Sequence, residues 1–80
     1  MGIDYNLIGE RIKEARKNKG YTQERLAEEI DVAVTYVSRL EKGYPINLKR
    51  LAQISQLLDV SIEYLLTGII PEANNYLNKD

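Results

Sequence analysis

Apolar residues recur at the three- and four-residue spacing of amphipathic helices through most of this chain. Within residues 5–18 the spacing places Ile8, Ile12 and Ala15 on one inner stripe, and Gly20 follows as a helix-ending glycine. We therefore predict a first helix that starts at residue 5 or 6 and ends at residue 18. Its outer face is expected to carry four basic residues: Arg11, Lys13, Lys17 and Lys19.

A pair of short helices joined by a tight turn is predicted within residues 22–43, TQERLAEEIDVAVTYVSRLEKG. Thr22 is a candidate N-cap of the first helix, and the small Ala27 lets its partner approach closely. Four apolar residues are spaced to close a seam across the turn: Leu26, Ile30, Val37 and Leu40. Such a unit can offer its second helix to a DNA groove, and the alternative is a helical hairpin that binds nothing.

The second helix of this pair, at about residues 34–42, buries one face and must present the other outward. The side chains expected to point away include four that suit base recognition: Val34, Thr35, Ser38 and Arg39. Arg39 can fork onto guanine N7 and O6, hydroxyl groups can bond to base edges, and a valine can touch a thymine methyl group. A solvated polar face without a ligand is the alternative interpretation.

Two more helices are predicted after a short linker at residues 43–47. Asn47 caps a helix at about residues 48–58, and Ser61 caps a last short helix that ends at Gly68. The side chains expected to face inward are Leu51, Ile54 and Leu58 in the fourth helix, and Ile62, Leu65 and Leu66 in the fifth. The predicted fold class is all-α, a compact five-helix domain over residues 1–68.

Composition excludes several kinds of chemistry. The 80 residues include no cysteine and no histidine, which rules out disulfides, zinc fingers and imidazole or thiol catalysis. No nucleophile and base can be paired, so we expect no enzyme, no metal site and no cofactor. No apolar run approaches the roughly 18 residues that span a bilayer, and the N-terminus lacks a signal-peptide pattern, so we expect a cytoplasmic protein. At this length we expect no small-molecule effector domain.

Net charge argues against nucleic-acid binding, but its distribution does not. The formal charge is −1 and the pI is about 5.4, whereas nucleic-acid-binding domains are commonly basic. Between residues 34 and 50, however, Glu41 is the only acid. The same stretch carries four basic residues: Arg39, Lys42, Lys49 and Arg50. The predicted DNA-facing segment is therefore positive, and acids gather in the first helix of the pair and near the C-terminus.

Residues 8–66 resemble the Cro/CI-type (XRE-like, lambda-repressor-like) helix-turn-helix family. The segments that carry the resemblance are IGERIKEARKNKGYTQERLAEEI, YVSRLEKG and LKRLAQISQLLDVSIEYLL, in unbroken order over about three quarters of the chain. The resemblance implies a compact five-helix lambda-repressor-like domain that binds operator DNA, usually as a dimer.

The resemblance also assigns roles to individual residues. Base-edge contacts fall to Val34, Thr35, Ser38 and Arg39. Contacts to the DNA backbone fall to Gln23, Lys42, Tyr44, Asn47 and Lys49. A buried ion pair between Arg16 and Glu41 is the usual arrangement in this family, and a phosphate contact by Arg16 is the alternative.

Two residues depart from the family pattern. Asp31 replaces the usual glycine of the turn, which is tolerable because Asp enters the left-handed region more readily than most residues. Ala33 replaces the usual Ser or Thr at the cap of the recognition helix, so a capping hydroxyl and a phosphate contact are lost. We expect lower affinity for DNA and the same class of protein.

The tail, residues 69–80, lies outside the resemblance. Its apolar residues Ile69, Ile70, Tyr76 and Leu77 are candidates for a dimer interface beside the fifth helix, or for a cover over the domain's own core. The leading functional hypothesis is a sequence-specific transcriptional regulator, a repressor that acts as a homodimer on a two-fold symmetric operator. The alternative is a protein-interaction module, such as an antitoxin-like or anti-repressor partner with the same fold.

Overall fold

A computed structural model describes residues 2–70, which form five helices. They are α1 (Tyr5–Asn18), α2 (Gln23–Glu29), α3 (Val34–Glu41), α4 (Leu48–Leu58) and α5 (Ile62–Thr67). The all-α class and the helix order are as predicted, and α3 ends one residue earlier than expected because Lys42 is its C-cap. Two candidate dimer residues, Tyr76 and Leu77, lie outside the described residues.

Short polar side chains start four of the five helices. Asp4 Oδ1 accepts from the backbone N–H of Asn6 at 3.0 Å, which begins α1. The three predicted caps are confirmed, because Thr22, Asn47 and Ser61 each accept from the backbone N–H three residues ahead at 2.8 to 2.9 Å. Each cap satisfies a donor that the helix itself leaves without a partner.

Every helix contributes to one apolar core. The buried apolar side chains are Ile8, Ile12, Ala15, Leu26, Ala27, Ile30, Val37, Leu40, Leu51, Ile54, Leu58 and Leu65. They include all four residues predicted to close the seam between α2 and α3. Leu66 was predicted to face inward, but it is 40% exposed. Consecutive helical residues lie about 100° apart, so a short helix that buries Leu65 turns Leu66 outward.

The predicted outer position of Arg11 is wrong. Arg11 is half-buried, and its Nη1 donates to the carbonyl oxygens of Leu65 at 3.2 Å and Leu66 at 3.1 Å. The last carbonyls of a helix lack partners within the helix and carry its negative partial charge, so a guanidinium is well suited to them. Arg11 thereby ties α1 to the end of α5.

An exposed ion pair joins the ends of α1 and α4. Lys19 Nζ lies 2.8 Å from Asp59 Oδ2. This hydrogen bond and the lysine charge lower the pKa of Asp59, and the same bond raises the pKa of Lys19. The lowered pKa means that the pair stabilises the fold above the ordinary pKa of an aspartate and loses this effect as the pH falls through the lowered value. Solvent screening keeps the contribution small.

None of these five helices combines the length and the apolar character needed to cross a bilayer, as far as residues 2–70 are concerned.

Candidate nucleic-acid interface

A four-residue turn sets α3 against α2. Asp31 occupies the left-handed region there with φ of 60°, as expected for the residue that replaces a glycine. The turn closes with two backbone hydrogen bonds, from Val32 N to Ala27 O at 3.0 Å and from Asp31 N to Glu28 O at 3.3 Å. These bonds satisfy the last carbonyls of α2, and the buried seam then fixes how α3 lies across it.

Gly9 allows α1 to approach α3 backbone to backbone. A Cβ atom at this buried glycine would collide with the carbonyl oxygen of Leu40 and lie 2.9 Å from the carbonyl carbon and oxygen of Glu41. Only hydrogen fits in that space. We did not predict this role, although a glycine inside a helical pattern is a signal for close packing.

Arg16 and Glu41 form the expected ion pair between α1 and the end of α3. Arg16 Nε lies 2.6 Å from Glu41 Oε2, and Arg16 Nη2 lies 3.2 Å from Glu41 Oε1. Both side chains are buried, with 9% and 3% of their surface exposed. Arg16 Nη1 also donates to Tyr21 O at 2.9 Å, so the guanidinium bonds to the chain just before α2 as well. The pair therefore fixes α3 relative to two other segments.

Gln23 was expected to contact the DNA backbone, but in this structure its amide points inward. Its Nε2 donates to Glu41 Oε1 at 2.9 Å, and the side chain is half-buried. This bond supplies Glu41 with a third hydrogen bond besides the two from Arg16. Within residues 2–70, no buried side-chain nitrogen or oxygen lacks a hydrogen-bond partner. The second N–H of the Gln23 amide is still available to an outside acceptor.

The outward face of α3 carries the residue types predicted for base recognition. Val34, Thr35 and Arg39 are exposed, and Ser38 is half-buried beside them. Val34 is 37% exposed at the start of the helix. Tyr36, also on α3, does not belong to this outward face. Its ring packs against the core, and the guanidinium carbon of Arg50 lies 5.9 Å from the ring centre.

The segment after α3 adds exposed polar and basic side chains. Lys42, Tyr44, Asn47 and Lys49 are all exposed, and Asn47 also caps α4 through its Oδ1. Glu41 is the only acid between residues 34 and 50, and its charge is buried against Arg16. The exposed surface of this stretch therefore holds cations without an exposed carboxylate.

Ala33 is the N-cap of α3 and, as predicted, gives the helix no side-chain hydrogen bond. We expect Ala33→Ser to raise the unfolding free energy by about 0.5–2 kcal/mol. The backbone at this position is extended, so a serine hydroxyl there can accept a hydrogen bond from a backbone N–H in the first turn of α3. Chemical denaturation would measure the change. The matched control, Ala52→Ser inside α4, should be mildly destabilising. If the denaturant concentration at the unfolding midpoint of Ala33→Ser is unchanged or lower than in the parent, Ala33 is not the cap position.

A tight turn between two short helices, with the second presented outward and braced from behind by α1, defines a helix-turn-helix domain. Residues 12–65 match the family model described as Helix-turn-helix. The chain belongs to the helix-turn-helix family, of the XRE-like or Cro/CI type.

Named relatives agree with this assignment. The chain is 44% identical over 62 residues to the HTH-type transcriptional regulator SinR of Bacillus subtilis, a match that covers 75% of this chain and 56% of SinR. It thus spans about half the length of the curated relatives it matches. A crystal structure of SinR, the master regulator for biofilm formation, in complex with DNA aligns with a TM-score of 0.67 and 42% identity. That alignment covers 72% of this chain and 95% of that one.

The P22 c2 repressor in complex with a synthetic operator is similar as well. It aligns with a TM-score of 0.73 and 33% identity, and the match covers 79% of this chain and 97% of the repressor chain. Both DNA complexes therefore share the fold of this chain over most of its length.

No group of three or more His, Cys, Asp or Glu side chains within residues 2–70 is placed to hold a metal ion.

Proposed function

We propose that this chain binds double-stranded operator DNA and regulates transcription, acting as a repressor by occupying its site. The observation that carries the proposal is the exposed face of residues 34–50, where every exposed formal charge is positive although the whole chain has a net charge of −1. DNA carries closely spaced negative phosphates, which attract positive side chains. A domain that is acidic overall would therefore bind DNA through this positive face. A cytoplasmic location is part of the proposal.

In the proposed complex α3 enters the major groove. The base-edge contacts are Val34, Thr35, Ser38 and Arg39, all on the outward side of α3. The phosphate contacts are Gln23, Lys42, Tyr44, Asn47 and Lys49. For Gln23 the donor is the amide N–H that Glu41 leaves free. Backbone contacts fix the orientation of the domain, and base contacts supply sequence preference.

We further propose that the protein acts as a homodimer, so that two copies of α3 reach successive major grooves. Ile69 and Ile70, just after α5, are 58% and 74% exposed, which suits residues that a second copy would cover. The segment at residues 69–80 is the proposed dimerisation segment, although most of it lies outside the part of the chain that the structure describes. A two-fold symmetric operator would follow from such a dimer.

Two substitutions separate base recognition from phosphate contact. We expect Arg39→Ala to cost about 1–3 kcal/mol of binding to the preferred duplex and to relax base preference at one position per half-site. Lys49→Ala should weaken binding to all sequences about equally and reduce the salt dependence of binding. Titration of labelled duplexes at several salt concentrations would measure both. If both variants bind DNA as the parent does, the proposed interface is wrong.

A protein-interaction module is the second candidate function. It is favoured by the acidic net charge and by the exposed acids of α2 and its turn, Glu24, Glu28, Glu29 and Asp31. A basic partner protein is the type of ligand that such a surface would attract. Selective DNA binding that depends on Arg39 would decide in favour of the first candidate.

A further inference from the structure

Arg39 lies over an aromatic ring in the free protein. Its guanidinium carbon is 5.5 Å from the centre of the Tyr44 ring, within the range of a cation–π contact. Both residues are exposed, and Tyr44 keeps 51% of its surface accessible. A ring at this distance attracts the guanidinium and so restrains this long side chain. The N–H groups of the guanidinium are the donors that would bond to guanine.

The end of α3 places Tyr44 beside Arg39. Gly43 adopts φ of 110°, so the chain reverses immediately after the C-cap, Lys42. Gly43 N then donates to Leu40 O at 3.1 Å, and Tyr44 N donates to Arg39 O at 3.0 Å. This pair of bonds is the Schellman ending of a helix, which brings the side chain two positions after the cap against the side chain in the last turn. Here those two side chains are Tyr44 and Arg39.

Within residues 2–70, two further arginines lie over tyrosine rings, and Arg39 differs from both. Arg25 lies over Tyr21, but its Nε also donates to Glu29 Oε2 at 3.2 Å. Arg50 lies over Tyr36, but its Nη1 donates to Ile30 O at 2.9 Å. Among residues 2–70, no side-chain or backbone oxygen accepts a hydrogen bond from the Arg39 guanidinium. Its hydrogen-bonding capacity is therefore left for a ligand.

We infer that Tyr44 is a positioning residue for Arg39, and that its ring contributes to base discrimination without touching a base. The inference rests on the proposed function and deepens it, because it separates two roles of Tyr44. The hydroxyl contacts phosphate and affects all sequences alike, whereas the ring orders Arg39 and affects one base pair per half-site.

Two substitutions at Tyr44 distinguish these roles. Tyr44→Phe keeps the ring and removes the hydroxyl, whereas Tyr44→Leu removes both. We would measure affinity for the preferred duplex and for duplexes altered at the base pair whose preference Arg39→Ala relaxes. Tyr44→Leu should reduce the discrimination ratio by about two- to five-fold, the range of an exposed cation–π contact. Tyr44→Phe should retain most of the ratio while binding all duplexes more weakly.

Lys42→Ala is the matched control, because it removes a neighbouring charge and leaves the pair in place. It should weaken all duplexes and preserve the ratio. Circular dichroism would establish that each variant is folded. An unchanged ratio in a folded Tyr44→Leu variant would overturn the inference, and so would an equal loss in Tyr44→Phe and Tyr44→Leu.

A measurement without DNA separates failure of this inference from failure of the proposed function. In an NMR spectrum of the free protein, the side-chain N–H signal of Arg39 should show a ring-current shift that persists in Tyr44→Phe and disappears in Tyr44→Leu. Absence of that shift in the parent overturns the positioning role, whatever DNA the protein binds. Presence of the shift in a parent that prefers no duplex overturns the proposed function, and with it the assignment of Tyr44 to base discrimination.

Discussion

Replacement of Arg16 by Ala is expected to lower the unfolding free energy by about 3–5 kcal/mol. The substitution leaves the Glu41 carboxylate buried, with 3% of its side chain exposed and with the Gln23 amide as its remaining partner. A buried charge without its counter-charge is far more costly than the pair is stabilising. Small domains have total stabilities of about 5–15 kcal/mol, so this variant should be partly or largely unfolded near 37 °C.

A double variant tests the physical cause. If the loss comes from the unpaired charge, Arg16→Met combined with Glu41→Leu should recover most of the stability, because apolar residues of similar size can replace a buried ion pair. Thermal unfolding of the single and double variants would measure the recovery. A double variant as unstable as Arg16→Ala would contradict this explanation and would point to the bond from Arg16 to Tyr21 O as the main contribution.

Replacement of Gly9 by Ala is expected to lower the unfolding free energy by about 1–2 kcal/mol. Alanine favours the helix by about 1 kcal/mol over glycine, which on its own would stabilise α1. The added methyl group, however, would overlap the backbone carbonyls of Leu40 and Glu41, which cannot move aside as a flexible side chain can. The two helices must therefore move apart to make room for the methyl group. Overpacking of this kind typically costs about 1–3 kcal/mol.

Gly2→Ala is the matched control for this substitution. Among the non-neighbouring residues of 2–70, no atom lies within 4 Å of where a Cβ atom at Gly2 would stand, and the φ of Gly2 is not positive. The control should therefore leave stability nearly unchanged. Chemical denaturation of both variants would give the comparison. A Gly9→Ala variant as stable as the parent would mean that α1 and α3 are not packed as closely as described.

The features that were predicted correctly depend on residues close together in sequence. Helix bounds and caps follow from local pattern, so Thr22, Asn47 and Ser61 could be placed from the sequence. The left-handed turn at Asp31 and the missing cap at Ala33 are also local. The Arg16–Glu41 pair joins residues 25 positions apart, and it was expected only through the resemblance to a known family.

The features that were missed or predicted wrongly depend on contacts between helices that are distant in sequence. Arg11 lies at the edge of the inner stripe of α1, and the arrival of α5 decides that it turns to the carbonyls of Leu65 and Leu66. The amide of Gln23 turns inward because Glu41 offers an acceptor from another helix. Gly9 must lack a side chain because the backbone of α3 lies against it. None of these partners is visible from spacing along the chain.

We propose that α3, braced by α1 and α2, reads DNA as part of a two-fold symmetric dimer. The most direct test is selection of duplexes from a randomised library by the purified protein at near-physiological salt, followed by sequencing of the retained DNA. We predict a two-fold symmetric motif with half-sites about 10 base pairs apart, centre to centre. Retained DNA without any enriched motif would contradict the claim.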